Sequence, residues 1–438
     1  MNTLMNDFKK EIRGKRYLLV LDDLWNEDPV KWLSLKNILV TGGARGSKVL
    51  VTTRSASVAK NVRSSSILFL THLSDNDSWL LFRHMAFENG LEPVNSNVGE
   101  IGRNNVLECK GLPLFTKTMG GLLYFSKSEN EWQFLLNELS NSEIGKNGFP
   151  PILMLSYVHL PSYLKQCFTY CCLFPKSYKF HKPTLIQMWI AQEFARSTGQ
   201  NLEDVGHEYF MELLWRSFFQ EVEKDERGNI LHFKIHDFIH DLGIMVARSD
   251  RTTFYSNVED INKNALHELE SSLQSQILLF KANRIRSFLL PSHPDNPCTR
   301  LDKSTYNAII TSFKSIDLHN LGIETISSSI GKLKHLRYLD LSYNEHIKTL
   351  PNSITRLQNL QTLKLTACTQ LKTLPRDITK LVNLIYLEIS GCMQMTLMPH
   401  GLELLPNLRI VRKSVVGKEL RENIPIELLH GGRCCIRI

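Results

Sequence analysis

The stretch Leu336–Asn344, LRYLDLSYN, returns as LQTLKLTAC at Leu360–Cys368 and as LIYLEISGC at Leu384–Cys392. The step is 24 residues and it holds at four places: Leu336, Leu360, Leu384 and Leu408; Leu333, Leu357, Leu381 and Leu405; Leu339, Leu363 and Leu387; Leu341, Leu365 and Ile389. Pro351, Pro375 and Pro399 mark a fifth. A unit this short cannot bury its own apolar face, but stacked on its neighbours it can. The period therefore predicts a solenoid whose interior is filled by the repeated Leu.

The unit has the L-x-x-L-x-L-x-x-N/C form of a leucine-rich repeat. A less regular unit, FKSIDLHNL, begins at Phe313, the place Leu336 holds in the next coil, and RIRSFLL at Arg284–Leu290 reads as the first strand. After Leu408 the period fails at Lys413. Asn344, Cys368 and Cys392 share one position and read as a buried ladder rather than a disulfide. Between the Leu of each strand stand the residues of the concave face. Two readings hold there together. One is a protein-recognition surface of Tyr338, Asp340, Thr362, Lys364, Tyr386 and Glu388, with the two Tyr as anchors. The other is a ladder in which Asp340, Lys364 and Glu388 pair along the stack.

Composition fixes the class of the rest. A chain of 438 residues makes two to four domains. With 42% apolar and 22% charged residues it is globular, neither disordered nor fibrous. No run approaches the ~18 apolar residues of a transmembrane helix, and the first residues have no apolar secretory core. Fifty-two Lys and Arg against 44 Asp and Glu leave +8, scattered along the chain, which does not point to nucleic acid. Nine Cys without a C-x-x-C pair fit a reducing compartment, hence a cytoplasmic protein.

In the N-terminal part, Tyr17–Trp25, YLLVLDDLW, is an apolar strand ending in two acids. Such a run suits the centre of a parallel sheet, and acids at its carboxyl end stand where α/β sheets bind ligands. This is the Walker B arrangement, although a capped turn reads the same. Gly46–Arg54, GSKVLVTTR, adds a second strand whose terminal Arg54 can meet a phosphate. No G-x-x-x-x-G-K-[ST] phosphate loop occurs in the 438 residues.

Further blocks follow in order. They are LTHLSDNDSWLLFRHMAF at Leu70–Phe87, CKGLPLFTKTMGGLL at Cys109–Leu123, LSYVHLPSYLKQCFTYCCLFP at Leu155–Pro175, MWIAQEF at Met188–Phe194 and FKIHDFIHDL at Phe233–Leu242. Together with LVLDDLW and GSKVLVTTR, over about residues 8–412, they resemble the nucleotide-binding (NB-ARC), leucine-rich-repeat disease-resistance proteins of plants. The resemblance is to their coiled-coil, non-TIR class, of which Trp25 is typical. It implies an innate immune receptor that switches between ADP and ATP states and recognises a pathogen effector or a guarded host protein, with self-association on activation. By the same resemblance Asp22 coordinates Mg²⁺ held with the nucleotide and Asp23 is the catalytic acid. Arg54 senses phosphate, Pro113 packs on adenine, and His236 bonds the β-phosphate of ADP with Asp237 supporting it. Ile235 stands where the family has Met, and Phe115 where it has a small residue.

Two other readings compete locally. His236-Asp-Phe-Ile-His240 has the spacing of a zinc-hydrolase helix, but Asp237 replaces the Glu base and no third ligand is evident. The winged-helix segment has an acidic third helix (Glu203, Asp204, Glu208, Glu212) and wing (Glu221, Glu223, Asp225, Glu226), which argues against DNA.

The expectation is a multidomain chain. A partial α/β parallel sheet, the remnant of a P-loop NTPase, spans 1–72. A helical module spans 73–148, a winged helix 149–249, a linker 250–283, an α/β leucine-rich-repeat solenoid 284–412 and an irregular tail 413–438. It is expected to be a switch and not a turnover enzyme, truncated relative to the family, with ATPase activity absent without the loop. The alternatives are a fragment or decoy that only binds protein partners, and a true ATPase.

Overall fold

The computed structural model describes residues 8–62, 66–91, 97–125, 128–141, 149–196, 199, 201–249, 314–395, 398–408 and 410–412, and the strands at 267–269, 287–289 and 435–437. Contacts divide the chain into two compact units, Met1–His72 and Leu73–Ile438.

In the first unit, β1 (Leu18–Leu21) and β2 (Lys48–Val51) pair in parallel, Leu18 opposite Lys48 and Leu21 opposite Val51. The crossover helix α1 (Pro29–Gly42) starts where Asp28 accepts the Val30 N–H and Pro29 fixes the first turn. It stops at Gly43, where a Cβ would lie 2.4 Å from the Tyr17 ring. A short α2 (Ala56–Asn61) follows, capped by Ser55. Among the described residues this sheet has two strands, so Leu18 and Val20 remain exposed at 68% and 53% although their run has the composition of a central strand.

The second unit begins with α3 (Asp75–Ala86), α4 (Val98–Glu108), α5 (Pro113–Tyr124) and α6 (Glu129–Asn141). Ser74 caps α3, and Trp79, Phe82 and Ala86 line its buried face at helical spacing. Next come α7 (Pro151–Val158), α8 (Ser162–Cys171), β3 (Phe180–His181), α9 (Lys182–Ala191), α10 (Leu202–Trp215), β4 (Gln220–Lys224), β5 (Ile230–Lys234) and α11 (Asp237–Ser249). The strands form a small antiparallel sheet in the order β3-β5-β4. Trp189, Phe218 and Phe219 are core, whereas Trp215 is 42% exposed and stacks on Tyr124. Gly121 permits this junction, since a Cβ there would meet the Trp215 carbonyl oxygen at 2.4 Å.

The solenoid is one parallel sheet of β6 (His267–Leu269), β7 (Ser287–Leu289), β8 (Ser315–Asp317), β9 (Tyr338–Asp340), β10 (Thr362–Lys364), β11 (Tyr386–Glu388), β12 (Ile410–Arg412) and β13 (Cys435–Arg437), stacked in chain order. Leu339, Leu363 and Leu387 are register partners, so the 24-residue step is the coil. Two strands exceed the expectation: β6 lies in the anticipated linker and β13 in the anticipated tail. Three residues are too few to show a period. Phe313 lies outside the described residues.

Asn344 is fully buried. Its side chain accepts from the N–H groups of Leu321 and Ile323 (3.1 and 2.9 Å) and donates to the Leu318 carbonyl. One and two coils on, Cys368 and Cys392 donate to the Leu341 and Leu365 carbonyls as thiols rather than a disulfide, the same ladder with a weaker donor.

Leu363 is 0% exposed within this stack. Leu363→Asp should cost several kcal/mol, on the order of the penalty for an unpaired buried charge. It should appear in circular dichroism as loss of the cooperative melt; an unchanged melt would contradict the register.

Candidate functional site

Parallel pairing brings the carboxyl ends of β1 and β2 together, and with them Asp22, Asp23 and Thr52–Arg54. The Thr52 hydroxyl donates to the Asp22 carboxylate and accepts the Asp23 N–H at 2.8 Å. The Thr53 hydroxyl donates to the Leu24 carbonyl at 2.7 Å. Asp23 takes φ +50°, a left-handed conformation uncommon for a non-glycine residue. Its carboxylate receives both Nε and Nη2 of Arg54, at 3.2 and 3.0 Å. The Trp25 ring lies 4.3 Å from that guanidinium carbon. The Arg54 hydrogen bonds, helped by the Trp25 indole, hold the Asp23 carboxyl below its ordinary range. Two carboxylates, a hydroxyl and a rim guanidinium at strand ends are a donor set that fits hydrated Mg²⁺ and phosphate oxygens.

The other residues assigned to nucleotide lie in the second unit. Pro113 opens α5, exposed, and Phe115 packs against the helical core. His236 is half-buried just before α11, its ring stacked on Phe238 at 5.7 Å, and Ile235 is buried in the core where the family's Met stands. His240 is turned inward and its Nε2 meets the Phe174 carbonyl at 2.7 Å.

A second constellation lies on the solenoid. Asp317, Asp340, Lys364 and Glu388 occupy one register column. The Lys364 ammonium lies 3.6 Å from Asp340 and 3.5 Å from Glu388. Tyr338, Asp340, Thr362, Lys364, Tyr386 and Glu388 are all buried, so they form no open surface. What covers the column is the winged helix. Lys364 donates to the Thr184 hydroxyl (2.8 Å), Gln187 to Glu388 (3.1 Å) and Gln192 to Ser315 (2.7 Å). Glu193 joins Lys314 and Arg337. Tyr338 inserts into the winged-helix core and its hydroxyl donates to Asp340 at 3.1 Å. Burial disfavours the charged forms of Lys364 and Asp340, but their mutual attraction, aided by Glu388 and His319, outweighs it and keeps both ionised.

Sequence reasoning missed Thr184, Gln187, Gln192, Glu193 and His319. One signal was available: Lys182–Ala191 has no polar face, yet Gln187 sits in it, which marks a helix covered on all sides.

Three stretches of the chain match known families. Residues 2–92 match the NB-ARC domain, 173–243 the disease resistance protein winged helix domain and 315–430 a leucine-rich repeat region. Disease resistance protein RGA2 of Solanum bulbocastanum is 38% identical over 338 residues, 76% of this chain and 32% of its own. RGA1 of the same species is 38% identical over 344 residues, 78% of this chain and 32% of its own. The chain belongs to the NB-ARC, leucine-rich-repeat family of plant disease-resistance proteins. It spans about a third of the length of the curated relatives it matches. Disease resistance protein RPM1 of Arabidopsis thaliana is 32% identical over 276 residues, 61% of this chain and 29% of its own. Members of this NB-ARC family are nucleotide-binding switches rather than classical enzymes. No helix among the described residues is long and apolar enough to cross a membrane.

Within the NB-ARC, leucine-rich-repeat chain the ion column is titratable at one end. His319 bonds Asp317 at 2.6 Å, and that carboxylate raises its pKa to about 9 from 6.5 against the opposing effect of burial. A raised folded-state pKa stabilises fully below 6.5 and is lost as pH rises through about 9. The melting temperature should therefore fall between pH 6.5 and 9, as on the order of 3 kcal/mol of stability at most is lost. His319→Gln should remove that part of the slope; an unaltered pH profile of melting in His319→Gln would refute it.

Proposed function

We propose that this chain is the switch-and-recognition portion of a cytoplasmic plant immune receptor, resting when α9 lies on the solenoid column and signalling when it leaves. The observation that carries the proposal is the contact of Thr184 with Lys364 and of Gln187 with Glu388 in the charged column, flanked by Gln192 on Ser315 and Glu193 on Lys314 and Arg337. It joins the winged-helix module to the recognition module through polar groups and the inserted Tyr338 ring, which leaves the winged-helix core when they separate. In the resting state ADP engages His236, with Pro113 on the adenine and Asp237 supporting the turn. In the ATP state Asp22 holds Mg²⁺ through the nucleotide and Arg54 meets phosphate. The activating partner is a pathogen effector or a guarded host protein read by the solenoid, and the open form self-associates. Relatives named as disease resistance proteins, together with the NB-ARC match, support the receptor reading. The acid pair and Arg54 support the nucleotide reading.

Lys364→Glu leaves four acids and no cation in the column and should drive α9 away. His236→Ala removes the ADP contact. Carried in the longer receptor context of the relatives, either change, or Asp237→Val, should give effector-independent cell death in leaf tissue. Silence of all three at normal protein levels would remove the switch.

The 438 residues alone contain no phosphate-cradling loop, which normally supplies backbone N–H donors to the β- and γ-phosphates. Calorimetric titration of the purified chain should show ADP and Mg-ATP binding weaker than micromolar and no hydrolysis. Micromolar affinity would show that the remaining blocks suffice, and steady ATP turnover would favour an ATPase.

A further inference from the structure

Trp25 is a large aromatic residue with 62% of its surface exposed, standing two residues after Asp23. Its ring carries the Arg54 guanidinium at 4.3 Å, and its indole helps Arg54 hold the Asp23 carboxyl below its ordinary range. Arg54 and Asp23 are themselves half-exposed, 51% and 43%. An exposed ion pair of this kind is worth little by itself, because water screens it and the arginine has many conformers to lose. The flat guanidinium on a flat ring loses most of those conformers at once, in the plane in which its fork meets both Asp23 oxygens. The acid is fixed from its own side. Thr52 accepts the Asp23 N–H, and the backbone holds φ +50°.

We propose that Trp25 is a positioning residue that holds Arg54 on Asp23, so that the Asp23 carboxylate occupies the guanidinium as an internal substitute for a phosphate group. A phosphate that is to be gripped by the same Nε and Nη2 groups of Arg54 must first take them from Asp23, and Trp25 sets how hard that is. The competition rests on the reading of these strand ends as a phosphate site. The positioning itself does not.

The test uses the whole chain and pyrophosphate without metal. Asp23→Asn cannot decide by itself, since removing a negative charge favours any anion. Trp25 is uncharged, so Trp25→Leu can. It should bind pyrophosphate about threefold more tightly, the scale of one exposed cation–π contact. Trp25→Phe, which keeps the ring, should behave like the parent chain. On an Asp23→Asn background, Trp25→Leu should add nothing. Unchanged or weaker binding by Trp25→Leu, or a gain that persists without the Asp23 charge, would overturn the competition.

A second readout needs no ligand. The fluorescence of Trp25, taken as the parent chain minus Trp25→Phe, should shift in Arg54→Ala. An unmoved spectrum would overturn the positioning role. If the spectrum shifts and no variant binds pyrophosphate, Trp25 still positions Arg54 and the phosphate reading of the site is what falls.

Discussion

One buried ammonium joins the two larger modules of the second unit. Lys364 sits between Asp340 and Glu388 and donates to Thr184 of the winged helix. Taking such ions out of water costs several kcal/mol each, and only close pairing with the remaining donors and acceptors satisfied recovers it. The column is therefore tolerable under α9 only while all its members are present. The hydrophobic cores do not share this burden. The helical and winged-helix core and the solenoid core are separate clusters, and among the described side chains of the solenoid Tyr338 is the one that joins the other cluster. A junction that is polar and charged, between two cores that are each complete, has the character of a transient interface.

The solenoid was legible because its period is written in residue types that do one thing. Leu at 336, 339 and 341 repeats 24 residues on, and every one of these positions is buried. The strand ends of the first unit were legible for a related reason: acids and an arginine after apolar runs are unusual enough to mark the carboxyl edge of a parallel pair. The cover on the concave face was not legible. Gln187 and Glu388 stand 201 residues apart, and no local pattern links a glutamine in one helix to a glutamate in a strand. The column itself was visible as alternating charge, and alternation of that kind serves a self-paired ladder and an interface equally. Trp25 was readable as a marker of class, but its contact with Arg54 depends on the parallel register, which the sequence does not specify.

The two constellations share a physical device. In each, a cation that has a prospective anionic or polar partner is already paired with carboxylates of the same chain: Arg54 with Asp23, Lys364 with Asp340 and Glu388. Their environments differ. The Arg54 pair is half-exposed, so solvent screens it and a stacked ring has to supply the order. The Lys364 column is dry, so its order comes from the cost of leaving any of its charges alone.

That difference sets how a partner acts on the solenoid. On the proposed reading, a ligand for Tyr338, Lys364 and Tyr386 meets a face that α9 already occupies, and it binds only the fraction of molecules in which α9 has left. Its apparent affinity is reduced by that fraction: an opening that occurs in about one molecule in a hundred weakens it about a hundredfold. The same ligand shifts the population open only by the difference between its affinities for the two states. Covering the recognition residues with α9 through polar contacts therefore does two things with one set of contacts. It prevents weak, adventitious partners from reaching the column, and it makes release of the winged helix a direct consequence of strong binding, because both depend on the same Lys364.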